Sequence, residues 1–186
     1  MRRVTNYLLI LILAVGVAGC DSNTDRTDGG GVLLSVSDFD GLPLLASVNS
    51  TLSTGGLIQI ESLTIQNIAK NPTGTTSDLM NVEIQSYEVQ YSRADRGTRV
   101  PTPYVRGIFG VAPVDGIVDY ENLPVMSSDQ LNTTPLSDLK YSNGGVDTET
   151  GEPKIVLNFQ VRFFGRTLSG DTVDTQPIFF TIEFIP

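Results

Sequence analysis

Ile155 to Phe163 reads IVLNFQVRF, and Ile178 to Phe184 reads IFFTIEF. In the first stretch Ile155, Leu157, Phe159, Val161 and Phe163 fall on one parity, and Asn158, Gln160 and Arg162 fall on the other. Successive side chains of a strand point to opposite faces, so this pattern predicts a strand with one buried and one wet face. The second stretch repeats it, with Ile178, Phe180, Ile182 and Phe184 set against Thr181 and Glu183. The connection GRTLSGDTVDTQP holds Gly165, Gly170 and Pro177. Two alternating segments around a Gly-rich connection predict an antiparallel hairpin. Pro177 has no N–H to give a ladder, so it belongs at a strand start, an edge or a bulge.

Working outward, Met80 to Ser92 reads MNVEIQSYEVQYS. Val82 and Ile84 are even-numbered, whereas Tyr87, Val89 and Tyr91 are odd, so the parity switches at Gln85-Ser86. A switch of this kind predicts a bulge or a strand that changes sheets. Leu57 to Ile68 is a fourth strand candidate, and Val32 to Val36, Tyr104 to Val111 and Gly116 to Tyr120 are weaker ones. Thr134-Pro135 before Leu136 has the form of an N-cap followed by proline at the first helical position, which predicts one short helical turn. No long stretch of period 3.6 follows residue 19. About seven strands with frequent Gly and Pro turns predict an all-β fold: a single antiparallel β-sandwich over residues 32–186, with a small β-barrel as the competing architecture. The final hairpin, with its aromatic strand running into Phe164-Gly165, resembles the closing strands of immunoglobulin-like and fibronectin-type-III-like modules. The buried Trp and paired Cys of antibody domains are absent, since the chain has no Trp and one Cys.

The first twenty residues are MRRVTNYLLILILAVGVAGC. Arg2 and Arg3 precede an uncharged apolar run from Tyr7 to Val17, then the small residues Ala18 and Gly19, then Cys20. This is the layout of a secretory signal, and the run is short for a membrane span. Val17-Ala18-Gly19-Cys20 resembles the lipobox of bacterial lipoproteins. That resemblance implies cleavage between Gly19 and Cys20 and attachment of a diacylglyceryl group to the Cys20 thiol. It implies a membrane partner through that lipid and a place in the cell envelope facing the periplasm. Asp21, next to the cysteine, resembles the inner-membrane retention signal of enterobacterial lipoproteins; inner and outer membrane both stay open. Residues 20–31 continue as DSNTDRTDGGG after the cysteine, a polar Gly-ended stretch that reads as a flexible tether of roughly 15–20 Å.

Charge narrows the partners. The chain carries 12 Lys and Arg against 21 Asp and Glu, a net −9. Loss of residues 1–19 removes two arginines and no acid, so the mature charge is −11. Nucleic acid, which needs clustered cations, is disfavoured. With no histidine, a Ser-His-Asp triad and a His-ligated zinc site are excluded, and with Cys20 lipidated no thiol remains.

Three constellations remain. Ser137-Asp138-Leu139-Lys140 spells S-x-x-K but lacks the partner motifs of that chemistry. Asp147, Glu149 and Glu152 gather around Gly151, either as a weak calcium loop or as a solvated turn. Arg93, Arg96, Arg99 and Arg106, with Tyr104 among them, place four cations in fourteen residues. They form either a loop that meets an anion or acidic partner, or a hairpin tip whose arginines pair with the domain's own acids. No motif calls for a metal or cofactor. The expectation is a lipid-anchored, non-enzymatic envelope module that binds an envelope protein or glycan of unknown identity or helps to organise an envelope complex. An envelope hydrolase using carboxylates and a structural spacer are the alternatives.

Overall fold

The computed structural model describes residues 29–186. Gly19, Cys20 and the tether up to residue 28 lie outside the described residues. The elements in chain order are β1 (Val32–Asp40), β2 (Leu45–Ser47), α1 (Val48–Ser53), β3 (Ile58–Ala69), β4 (Val82–Arg93), β5 (Tyr104–Ala112), β6 (Gly116–Met126), α2 (Ser128–Asn132), β7 (Ile155–Thr167), β8 (Thr172–Asp174) and β9 (Ile178–Ile185). The chain is mostly β, and every segment expected to be a strand is one. The three-residue strands β2 and β8 are additional.

The strands form two sheets. One has the order β1-β3-β6 and is antiparallel throughout; the other runs β2-β9-β7-β4-β5, with β8 beside the end of β7. The expected hairpin is present, with Phe159 opposite Phe180 and Ile155 opposite Phe184. Pro177 stands just before β9. The second sheet is mixed rather than antiparallel, because β2 pairs with β9 in parallel. The reason lies at Asp40-Gly41. Gly41 has φ 78°, its N–H donates to Asp40 Oδ1 at 2.6 Å, and a Cβ there would sit 2.3 Å from the Glu61 side chain. The chain leaves the first sheet at this turn and enters the second at β2, alongside β9.

The parity switch in β4 is a bulge. Pairing with both β5 and β7 shifts between Ile84 and Ser86, so Val82, Ile84, Tyr87 and Val89 are all fully buried on one face. One apolar core draws on both sheets: Ile60, Leu63 and Ile65 from the first, Tyr87, Phe159, Phe163 and Phe184 from the second. Phe159 is stacked on Phe180 at 4.9 Å and meets the edge of Tyr91 at 5.0 Å. Burying a tyrosine requires a partner for its hydroxyl. Tyr87 and Tyr91 reach across the core and donate to the Pro124 and Val125 carbonyls of β6, each at 2.6 Å. Burial pushes both phenols well above their ordinary pKa.

The segment after α2 makes a 3-10 turn at Leu136–Leu139 whose Leu136 and Leu139 close one side of the core. Pro135 caps this turn instead of entering it, and the Thr134–Pro135 peptide is cis. Gly29–Gly31, read from sequence as the end of the tether, forms a 3-10 turn on the domain, with the Lys70 N–H donating to the Gly31 carbonyl at 3.0 Å. Among the described residues, no helix is long and apolar enough to cross a membrane.

Candidate functional site

The arginine-rich segment leaves β4 and returns in β5, and the acidic loop 147–152 leads into β7. Strands β4 and β7 are neighbours, so the two loops meet at one end of the sheet. Arg93, the last residue of β4, has a side chain only 3% exposed. Its Nε donates to Asp95 Oδ1 at 2.6 Å and its Nη2 to Asp147 Oδ2 at 2.8 Å, with Asp147 fully buried. Gly97 is required here, since a Cβ would come within 2.3 Å of the Arg93 guanidinium carbon. Arg99 Nη2 donates to Thr148 Oγ1 at 2.7 Å and to Asp147 Oδ1 at 3.3 Å, and lies 3.4 Å from Asp138 Oδ2. Glu149 accepts from the Thr98 hydroxyl at 2.6 Å and from the Thr98 and Arg99 N–H groups. Asp95 Oδ2 accepts the Val156 N–H at 2.9 Å, which sews the loop to β7.

The electrostatics follow from these bonds. Burial works against the charges of Arg93, Asp95 and Asp147, and the bonds they make to one another outweigh it. The Arg93 pKa is raised and those of both aspartates are lowered. Glu149, held chiefly by the Thr98 hydroxyl, is lowered to about 2. Arg93 and Arg99 therefore clamp two loops together. Arg93 is withdrawn from any contact surface by burial, and the contacts of Arg99 described above are internal. Arg96 is exposed beside a depression of about 660 Å³ lined by Asp95, Arg96, Glu149, Thr150, Glu152 and Lys154. A glycosidase acid needs a raised pKa, whereas Asp95 and Glu149 move the other way. Among the described residues, no group of three or more acids, cysteines or histidines is placed to hold a metal. Lys140 Nζ donates to Asn132 Oδ1 and not to Ser137.

Tyr104 and Arg106 sit elsewhere, on β5. Tyr104 is half-buried at the margin of the core, with its ring 6.2 Å from that of Tyr87. Arg106 is exposed and donates to Tyr104 Oη at 3.3 Å. Strand β5 pairs with β4 alone and forms an edge of its sheet. Its odd positions face out: Val105 is 65% exposed, Phe109 75% and Val111 38%. Gly110 lets the strand lie close over β6, where a Cβ would sit 2.3 Å from Tyr120 Oη. Sequence reading missed Val105, Phe109 and Val111 as candidate contacts. Their alternation was the available signal, and it reads equally well as a core face.

No protein-family model, no curated protein and no solved structure matches the chain.

The described surface thus offers two features of different kinds. One is a clamp of arginines and acids whose charges are paired internally. The other is a nine-residue edge strand with bare apolar side chains and one exposed guanidinium. Edge strands commonly carry lysine, proline or a short length that blocks pairing with another chain. Strand β5 is long and has no lysine or proline, and its protections are limited to Arg106 and the bulge opposite Ile84–Ser86.

Proposed function

We propose that this protein is a lipid-anchored cell-envelope protein facing the periplasm, whose immunoglobulin-like β-sandwich is a non-enzymatic binding module. The observation that carries the binding reading is β5, an open sheet edge with Val105 and Phe109 exposed on its outer face. Such an edge takes an extended segment of a partner by strand addition, with main-chain hydrogen bonds for affinity and outward side chains for selection. The sandwich reading is supported by two sheets around one core and by strand order. Three strands in the order β1-β3-β6 face a sheet in which the closing hairpin β7-β9 is flanked by the consecutive strands β4 and β5. Immunoglobulin variable-type domains add strands beside the same hairpin in this way. The anchor reading is supported by the Val17-Ala18-Gly19-Cys20 motif. Non-enzymatic action is supported by Asp95 and Glu149, two acids of the depression beside Arg96, being tied to internal partners.

Site-specific photocross-linking in the native host tests the binding reading. A cross-linker at Phe109 is expected to give a discrete adduct with an envelope component, weakened when Val105 is changed to Lys. A cross-linker at Ser35, on the other sheet, is expected to give none. Identical adducts at both positions, or none at Phe109, would overturn the proposal. Intact-mass analysis of membrane-extracted protein is expected to show loss of residues 1–19 and added acyl mass; full-length unmodified chain would refute the anchor.

A further inference from the structure

We infer that the end of the domain where the chain enters rests on the bilayer surface, with Leu79 and Leu168 set into the lipid interface. This rests on the reading of Cys20 as the lipid anchor. From Cys20 to Gly29 is nine residues of chain, which span at most about 30–32 Å when fully extended. The entry point of the described domain is therefore held within that distance of the headgroups. Gly30 fixes where this point is. It has φ 62°, and a Cβ on it would lie 2.7 Å from Thr167 Cγ2 and 3.1 Å from Asp171, so the backbone is pressed onto the β7–β8 turn. On its other side, the space beside Gly31 is bounded by Met80 Cε at 3.7 Å.

Leu168 directly follows Thr167, and Leu79 directly precedes Met80. Both are exposed, at 49% and 58%, so two bare leucines bracket the entry point. Their backbones are tied into one ledge. The Leu168 N–H donates to the Asn81 carbonyl at 2.9 Å and the Ser169 N–H to the Leu79 carbonyl at 3.0 Å. The rim around them carries Lys70 and Arg166 against Asp78, Asp115, Asp171 and Glu83, the last opposite Arg166 across the β4–β7 ladder. Asp115 is occupied by the Ala69 N–H at 2.9 Å, and Asp171 Oδ2 by the Ser169 hydroxyl at 2.9 Å. The rim has no excess of cations to draw anionic headgroups, so the contact is apolar insertion reinforcing the acyl anchor. Leu44, 82% exposed beside Glu183, lies at the opposite end. The thirteen residues of β7 separate the two ends by about 40 Å.

The test uses the full-length protein, purified from membranes with its lipid and placed in phosphatidylethanolamine–phosphatidylglycerol vesicles. Lipidation consumes the native thiol, so Leu168→Cys, Leu79→Cys and Leu44→Cys each provide one site for a nitroxide label. At 168 and 79, collisions with a water-soluble relaxation agent are expected to be several-fold fewer than at 44, and to stay so at high salt. Equal accessibility at the three sites would overturn the inference. Flotation of the same vesicles separates the two failures: protein that floats with equal accessibility rejects the docking alone, and protein that does not float rejects the anchor and the docking together.

Discussion

A guanidinium 3% exposed is tolerable only when every charge it brings inside is answered, and Arg93 meets that condition with Asp95 on one side and Asp147 on the other. Removing one partner of such a pair leaves the other charged and buried, at a cost of about 3–5 kcal/mol. Arg93→Ala is therefore expected to lower unfolding stability by that amount in urea titration, and Arg96→Ala to change it by less than about 0.5 kcal/mol, because Arg96 is exposed on the loop. Equal losses from the two would mean that the clamp is misplaced. Gly165 makes a different demand at the same scale. A Cβ there would meet the Glu83 carbonyl at 2.7 Å and Val82 Cγ1 at 2.9 Å, inside the β4–β7 ladder. Gly165→Ala is expected to cost about 1–3 kcal/mol through overpacking, read as a lower urea midpoint. Neither demand is visible in sequence. Arg93 lies 54 positions from Asp147, and composition alone gives the same two clusters whether they face each other or solvent.

At the scale of elements, alternation was legible wherever a strand was long and buried on one face only. That describes β7, β9 and both halves of β4, and the parity break between those halves located the bulge. The three-residue strands β2 and β8 are too short to show any period, and the parallel pairing of β2 depends on a crossing made at Gly41. The expected end of β6 at Tyr120 fell short of its true end at Met126. Asn122, with φ 53°, and Pro124 interrupt the local pattern, yet the strand runs through them because it stays paired with β3, with Gln59 opposite Pro124 and Ile58 opposite Met126. Strand β5 shows the limit of patterning most clearly. Val105, Phe109 and Val111 alternate as a core face does, and only the sheet order shows that they line an outer edge. Phe159→Ala, on the buried parity of β7, is expected to cost about 3–5 kcal/mol. Phe109→Ser, on the exposed parity of β5, is expected to cost less than about 0.5 kcal/mol. Comparable losses in chemical denaturation would show that the two faces have been assigned wrongly.

For the molecule as a whole, two sheets share one core, tyrosine hydroxyls bridge them, and the clamp binds the loops at one end, so the domain is expected to unfold in a single transition. Its dependence on pH follows from which groups are shifted and in which direction. The chain has no histidine, so no side chain of ordinary pKa titrates between about pH 5 and 8. Asp95, Asp147 and Glu149 are all lowered on folding, Glu149 to about 2. A carboxyl whose folded pKa lies below its unfolded value contributes its full share of stability above the unfolded value. That share is lost as pH falls through the folded one. The urea midpoint of the detergent-solubilised protein is therefore expected to stay level from pH 7 to about 5 and then to fall between about 4.5 and 2. Asp147→Asn removes the buried member of this set and strands the Arg93 charge. It is expected to lower the midpoint already at pH 7 and to flatten the fall in acid, since one of the protonating groups is gone. A variant curve parallel to that of the wild type, displaced but equally steep below pH 4.5, would show that the acid sensitivity arises outside the clamp.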